Sequence, residues 1–200
     1  MINKELVHMR LAINIPQIDT FSDDELFMFC RANPELRIER NEKGQIVIMP
    51  PTGIETSFRN SDLNFKIYAW NIQARLGRVS DSNGGYTLPD SSMRAPDVAW
   101  ISNERLSTVS SSDLKKFAHV CPDFVIELMS ETDELEDLKE KMNKWLLNGV
   151  LLGWLIVPKS KQTYIYRFNQ SECPEVVTFS EILSGEEILP GLEVRLTDIF

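Results

Sequence analysis

Two apolar runs of this chain each carry a carboxylate within a predicted strand, and this feature constrains the fold more than any other. Asp97 lies in the run RAPDVAWI, and Glu127 lies in the run CPDFVIELMS. A buried carboxylate is costly unless it is paired, hydrogen-bonded or bound to a metal. The helix predicted directly after Glu127 carries Lys141, which could bring a cation to the same place. Two acids on strands and a nearby lysine are the minimum set of groups for metal-dependent phosphodiester hydrolysis.

The composition indicates one domain over 1–200, with an irregular segment at 1–20, because 42% of the 200 residues are hydrophobic. There is no apolar run of about 18 residues and no secretory signal, so neither a membrane span nor export is expected. Three scattered cysteines and two histidines argue against a structural zinc site. We therefore predict a cytoplasmic protein with reduced thiols.

The charge balance limits how the chain can bind nucleic acid. The formal net charge is −9 and the basic residues are scattered, whereas a dedicated nucleic-acid binder usually has a basic surface. A local basic face remains open, and a divalent metal would offset part of the repulsion. Weak or local contact with DNA is therefore expected. A nucleotide cofactor is not expected, because no Gly-rich phosphate-binding motif occurs.

The hydrophobic pattern predicts a mixed α+β fold in which a central sheet is flanked by helices. A capping box at Ser22 and Glu25 begins the first helix, Gly77 is expected to end the long second helix, and Ser130 or Thr132 is expected to cap the third. Helices are predicted at 22–32, 55–76 and 133–148. Strands are predicted at 36–41 and 45–50 as a hairpin, then at 95–102, 124–128, 152–158 and 162–168, with short β additions at the C-terminus.

Each candidate side chain also has an ordinary structural interpretation. An Asp at the start of a strand often accepts backbone hydrogen bonds, which is the preferred interpretation of Asp90 and Asp123. Glu127 could be a buried acid paired with a basic residue for structural reasons. Lys141 lies at the edge of the apolar face of its helix, but the pattern alone does not select it over other lysines there. The presence of both acids in apolar strands favours the functional interpretation.

Other reactive side chains are weaker candidates. His119 and Cys121 have no activating partner nearby in the sequence, so a surface or core role is expected for both. The four tryptophans fall at apolar positions, so they are expected to be core residues before they are platforms for stacked bases.

The combined motifs resemble the Uma-type family of endonucleases within the PD-(D/E)XK restriction-endonuclease-like superfamily. The resemblance covers nearly the whole chain: ELRIER and GQIVIMPPTG resemble its N-terminal hairpin, RAPDVAWI and CPDFVIELMSETD its acidic strands, and KMNKWLLNGVLLGWLIVP the helix and strand that follow. It implies a restriction-endonuclease-like core that hydrolyses phosphodiester bonds in DNA.

The resemblance also assigns site residues. Asp97 and Glu127 match the two motif acids, but Met129 stands where the usual motif has its lysine. The family resembled supplies that lysine from the next helix, which matches Lys141. Glu39 matches a recurrent acid in the N-terminal hairpin, and Glu55 is the competing N-terminal acid.

The resemblance implies a mechanism as well. Asp97, Glu127 and the backbone carbonyl of Leu128 would hold Mg²⁺ or Mn²⁺, and Lys141 would orient water or stabilise charge on the phosphate. The alternative is a non-catalytic interaction module on the same fold. An RNA or branched-DNA substrate and a homodimer also remain open.

Overall fold

The computed structural model describes residues 11–13, 21–170 and 173–200. These residues form a mixed α+β fold, with helices packed on a central sheet, an N-terminal helix and hairpin, and β additions at the C-terminus. The predicted fold class is confirmed. Within the stretch 1–20, Leu11–Ile13 form strand β1, and the remaining positions lie outside the described residues.

The N-terminal sheet has six strands, most of them short. They are β1 (Leu11–Ile13), β2 (Arg37–Arg40), β3 (Ile46–Met49), β5 (Tyr86–Thr87), β6 (Met93–Arg94) and β8 (Ala118–His119), in the spatial order β1-β3-β2-β6-β5-β8. The predicted hairpin is the pair β2 and β3, and Gly44 in its turn has a φ of 76°, as the sequence predicts. Helix α1 (Asp23–Ala32) begins with the predicted capping box and packs Leu26 against this sheet.

The central sheet carries the main core. Its strands are β4 (Gly77–Ser80), β7 (Val98–Ser102), β9 (Phe124–Leu128), β10 (Leu152–Val157), β11 (Gln162–Arg167) and β12 (Glu175–Thr178), in the order β12-β11-β10-β9-β7-β4. β9 and β10 are parallel, and the other neighbours are antiparallel. A small third sheet pairs β13 (Ile182–Ser184) with β14 (Glu193–Arg195).

Two helices cover the opposite faces of the central sheet. Ile126 of β9 lies in the cluster that contains Leu63 of helix α2 (Ile54–Ala74), whereas Val125 lies in the cluster that contains Met142 of helix α4 (Leu135–Leu147). A short helix α3 (Asn103–Leu106) follows β7. Because side chains alternate along a strand, Glu127 must lie on the α4 side with Val125.

Two predicted helix ends are wrong. Helix α2 ends at Ala74, and Arg75 takes the left-handed conformation at its C-cap with a φ of 55°, so Gly77 instead begins β4. The residue before α4 is Glu134, and the hydroxyl of Ser130 donates to Asp133 at 2.7 Å instead of capping the helix.

None of the helices within the described residues combines the length and the apolar character needed to cross a membrane.

We expect Gly77→Ala to destabilise the fold. A Cβ at this position would lie 2.1 Å from the carbonyl oxygen of Ile101 and 2.7 Å from the Trp100 ring, and a paired backbone cannot move aside. Overpacking of this kind typically costs about 1–3 kcal/mol. Urea denaturation should show that loss. The matched control is Gly53→Ala, which meets no atom within 4 Å and should change the free energy of unfolding by less than about 0.5 kcal/mol; equal losses would contradict the steric account.

Candidate active site

The register of the central sheet places the two acids side by side. β7 and β9 run antiparallel with Ala99 opposite Val125. Two residues further along, the same register sets Asp97 opposite Glu127, and directly opposed residues share one face of a sheet. That face is covered by α4, because Ala99 and Val125 belong to the cluster under this helix. The two acids therefore meet beneath α4 although they are far apart in the sequence.

Asp97 is held by two hydrogen bonds from the protein. Its Oδ2 accepts the backbone N–H of Leu128 at 2.8 Å, and its Oδ1 accepts from Nδ2 of Asn60 at 3.0 Å. Asp90 and Asp123 accept backbone N–H groups in the same manner, as predicted. A carboxylate offers about four acceptor positions, so these two bonds leave Asp97 able to bind another donor or a metal.

Glu127 is buried and binds two side chains of α4. Its side chain is 5% exposed, and its Oε1 accepts from the indole N–H of Trp145 at 2.8 Å. The ammonium Nζ of Lys141 lies 2.9 Å from Oε1 and 3.1 Å from Oε2. Helix α4 thus supplies both a neutral and a charged donor to this acid.

Lys141 joins the two large sheets. Its Nζ also donates to Oε1 of Glu39 at 3.1 Å, while its side chain is only 8% exposed. The neighbouring lysines differ: Lys139 and Lys144 lie 30% and 25% exposed and pair with glutamates nearer the surface. The structure therefore separates Lys141 from the other two, which the sequence pattern could not do.

Strand β2 brings Glu39 to the same place. Ile38 packs with α1, so the alternation of the strand turns Arg37 and Glu39 to the opposite face. Glu39 accepts the backbone N–H of Ala95 at 3.1 Å, and Nη1 of Arg94 lies 3.8 Å from its Oε2. Glu39 is thus fixed by the segment that leads into β7 as well as by α4.

The pKa values follow from this crowding of charge. Burial raises the pKa of Glu39, but Lys141 and Arg94 more than offset it, so the pKa lies below its ordinary value. Burial raises the pKa of Glu127 to about 7, because the attraction of Lys141 is partly cancelled by Asp97 and Glu39. Burial likewise raises the pKa of Asp97. Burial lowers the pKa of Lys141, but the acids around it more than restore it, so Lys141 stays charged.

A cavity of about 70 Å³ opens at this cluster, enough for roughly two waters. Asp97, Glu127 and Lys141 all line it, and Leu128 and Arg37 border it as well. Asp97, Glu127 and Lys141 therefore share one small cavity, where the start of β7 meets the end of β9.

The donor set fits a small hard cation. Among the described residues, no group of three or more His, Cys, Asp or Glu side chains is arranged to hold a metal ion. Mg²⁺ is commonly bound by one or two carboxylates while it keeps several waters, which Asp97 and Glu127 would satisfy. The Oδ1 of Asn60 is buried and has no partner among the described residues. A water donating beside Asp97 would satisfy this acceptor.

Three other candidates lie apart from this cluster. Glu55 is exposed on α2 and pairs with Arg59 at 2.6 Å. His119 is 55% exposed and lies 2.8 Å from Asp23. Burial raises the pKa of Cys121 to about 12, so its thiol stays protonated and is a poor nucleophile. Of the two competing N-terminal acids, the structure brings only Glu39 to the acidic strands.

Four contributing residues were not predicted for the site. Trp145 is a core residue, as expected, but its N–H also binds Glu127, and Arg94, Asn60 and Arg37 complete the surroundings. The spacing of Arg37 and Glu39 on one strand was an available signal, since residues two apart share a face. The Asn60 contact carried no such signal, because it depends on how α2 packs.

We expect the free energy of unfolding of the metal-free protein to fall as pH rises from about 4.5 to about 7. In this range the folded state holds a proton on Glu127, whose pKa is raised from 4.5 to about 7, and the unfolded state does not. The loss should be about 3 kcal/mol, because each unit of pKa difference corresponds to about 1.4 kcal/mol. Urea denaturation in EDTA at several pH values measures it. Glu127→Gln should flatten the profile, while the exposed control Glu131→Gln should leave it unchanged; the same slope in Glu127→Gln would contradict the assignment.

Comparisons with known proteins identify the family and the fold of the chain. The model of the Uma2 family, described as "Putative restriction endonuclease", matches residues 23–197. A solved structure of "a putative nuclease belonging to DUF820 from Anabaena variabilis ATCC 29413" aligns with a TM-score of 0.69 and 21% identity, over 83% of this chain and 90% of that one. At this identity the likeness concerns the fold. None of the curated proteins matches the chain. Since the family model spans the chain from α1 almost to its end, the protein belongs to the Uma2 family.

Proposed function

We propose that this protein is a divalent-metal-dependent endonuclease that hydrolyses phosphodiester bonds in DNA. The observation that carries the proposal is the buried ammonium of Lys141, held 2.9 Å from Glu127 and 3.1 Å from Glu39 at a cavity that Asp97 also lines. Membership of a restriction-endonuclease family supports hydrolysis of nucleic acid.

Asp97, Glu127 and the backbone carbonyl of Leu128 would hold Mg²⁺ or Mn²⁺. Bound there, the ion would lower the pKa of a water molecule and polarise the scissile phosphate. The protein's own contribution is to fix both acids in place: the Leu128 and Asn60 donors orient Asp97, and the Trp145 indole orients Glu127. Fixed positions of this kind lower the barrier because little rearrangement is needed during the reaction.

Lys141 would act on the attacking water or on the charge that builds on the phosphate. An ammonium has three donor hydrogens, and the contacts to Glu39 and Glu127 engage two of them. The third can serve a group in the cavity. Its raised pKa keeps the lysine charged, so it can act as an electrostatic group and cannot act as a general base.

The role proposed for Glu39 is to position Lys141. Its carboxylate holds the ammonium from the side of the N-terminal sheet, while Glu127 holds it from the central sheet. Glu39 itself is anchored by the Ala95 backbone N–H. It therefore sets where the third donor of Lys141 points without needing to touch the substrate.

The alternative is a non-catalytic interaction module. The net charge of −9 disfavours strong binding of nucleic acid, and the Lys141, Glu39 and Glu127 contacts would also stabilise a purely structural core. Such a module has no reason to bind Mn²⁺ at a single site. The choice of DNA over RNA, the homodimer and the cytoplasmic location all stay predictions.

Nuclease activity should depend on Lys141. We expect metal-dependent nicking of supercoiled DNA by the wild type, a loss of about 10²–10³ in rate for Lys141→Ala, and no detectable nicking by Asp97→Asn or Glu127→Gln. Agarose gels with Mg²⁺ or Mn²⁺ measure this, with single-stranded DNA and RNA in parallel. The matched control is Lys139→Ala, because Lys139 lies on the same helix and pairs with Glu136 at the surface.

The Lys141→Ala substitution leaves buried acids without a partner, so the stability of this variant must be measured together with its activity. Nicking that survives all three site substitutions would contradict the proposed site. A folded wild type that neither cleaves nucleic acid nor binds Mn²⁺ by calorimetry would favour the interaction module.

Substitutions of Glu39 and of Glu55 should have clearly different effects on activity. Glu39→Gln should lower kcat about 10- to 100-fold, the usual effect of removing a group that orients a catalytic residue, with little change in KM. Glu55→Gln should retain wild-type rates, since Glu55 contacts Arg59 at the helix surface. Steady-state kinetics on a fluorogenic oligonucleotide measure both, and the reverse order would assign the role to Glu55.

A further inference from the structure

A second, larger cavity lies directly beside the candidate active site. Its volume is about 290 Å³, and its lining is almost entirely polar. Asp97 and Arg37 line both this cavity and the smaller one at Lys141. We call the larger cavity the polar groove; it lies between α2 and the loop after β4, and its remaining lining includes Ser57, Asn60, Ser61, Asn64 and Ser82.

The groove wall on α2 follows from helical spacing. Ser57, Asn60, Ser61 and Asn64 are separated by three, one and three positions, so they share one face of the helix. Two of them are fixed by contacts at the floor: Asn60 donates to Asp97 at 3.0 Å, and Asn64 donates to the backbone carbonyl of Ser80 at 3.1 Å. The wall is therefore an ordered row of amide and hydroxyl groups that leads away from Asp97.

Arg37 is the cation at the junction of the two cavities. Within the described part of the chain its guanidinium makes one long hydrogen bond, 3.5 Å from Nη2 to the carbonyl oxygen of Ser82, and no ion pair within 4.0 Å. The other basic groups near the site are engaged: Lys141 by Glu39 and Glu127, and Arg94 by Glu42 at 3.1 Å. An arginine has five N–H donors suited to bidentate contact with phosphate, so Arg37 keeps most of its donors for a ligand.

We propose that the polar groove binds the sugar–phosphate backbone of the substrate strand, with Arg37 on the phosphate next to the scissile one. This rests on the proposed nuclease function and names how its substrate is held. A cavity of about 290 Å³ holds only a short stretch of one strand's backbone, so the proposal concerns contacts to a single strand. Hydroxyl and amide side chains commonly contact phosphate and sugar oxygens.

The groove also accounts for substrate binding by an acidic chain. Its lining contains one cation, and the carboxylates Asp81 and Asp97 lie in the same cavity. Affinity must then come mainly from hydrogen bonds, with one phosphate neutralised by Arg37. For a single strand each neutralised phosphate adds about 0.7 to the slope of log Kd against log salt, so a shallow salt dependence is expected.

The test is fluorescence anisotropy of a fluorescein-labelled single-stranded DNA of about 12 nucleotides, in EDTA, so that binding is read without cleavage. Relative to wild type, Arg37→Ala should weaken binding about tenfold and lower the salt slope by about 0.7. Arg37→Lys should keep the slope and recover part of the affinity. Ser61→Ala should weaken binding about threefold with no change of slope.

The charge-matched control is Arg195→Ala, an exposed arginine on β14 that does not line the groove; it should bind as the wild type does. Thermal unfolding of each variant confirms folding. The proposed role of the polar groove is contradicted if the wild type does not bind the oligonucleotide. It is also contradicted if the Arg37→Ala variant binds as tightly as the Arg195→Ala variant. If binding depends on Arg37 but the protein never cleaves nucleic acid, the proposed role of the polar groove is supported and the nuclease proposal is contradicted. If Arg37→Ala cleaves with an unchanged KM, the nuclease proposal is supported and the proposed role of the groove is contradicted.

Discussion

The buried ammonium of Lys141 is the contact on which the rest of the site depends. It lies between Glu39 of the N-terminal sheet and Glu127 of the central sheet, so a single side chain of α4 fixes how the two sheets meet. A buried ion pair often adds little net stability, but loss of one partner costs about 3–5 kcal/mol because the other charge is then buried without a partner. The arrangement therefore favours one relative position of the sheets, because a shift between them would separate Lys141 from one of its acids.

The acids of the cluster repel one another in a buried place. Glu39, Asp97 and Glu127 lie among the cations Lys141, Arg94 and Arg37, and burial, together with the repulsion from Asp97 and Glu39, raises the pKa of Glu127. Because apolar replacement of a buried ion pair is often neutral or stabilising, stability is a weak reason for such a cluster. Asp97 and Glu127 line the cavity, where a positive ligand would relieve their mutual repulsion.

Much of the fold and of the site was predictable because both depend on local pattern. The capping box of α1, the hairpin turn at Gly44 and the acids in apolar strands are short-range signals, and the structure has each of them. Charge and spacing alone could not predict that Lys141, and not Lys139, joins the cluster. The burial of Lys141 depends on its contact with Glu39 of β2. The position of Arg75 at the end of α2 was missed for the same reason: Gly77 is needed where β4 approaches Trp100.

The contact between Lys141 and Glu39 spans 102 positions of the chain. Closure of so long a loop is entropically unfavourable until other contacts have formed, so we expect this contact to form late in folding. During synthesis, Glu39 and Asp97 emerge from the ribosome well before α4 is complete. A nascent chain therefore holds the acids without their lysine. The site proposed for hydrolysis is thus expected to form only once α4 has packed against both sheets.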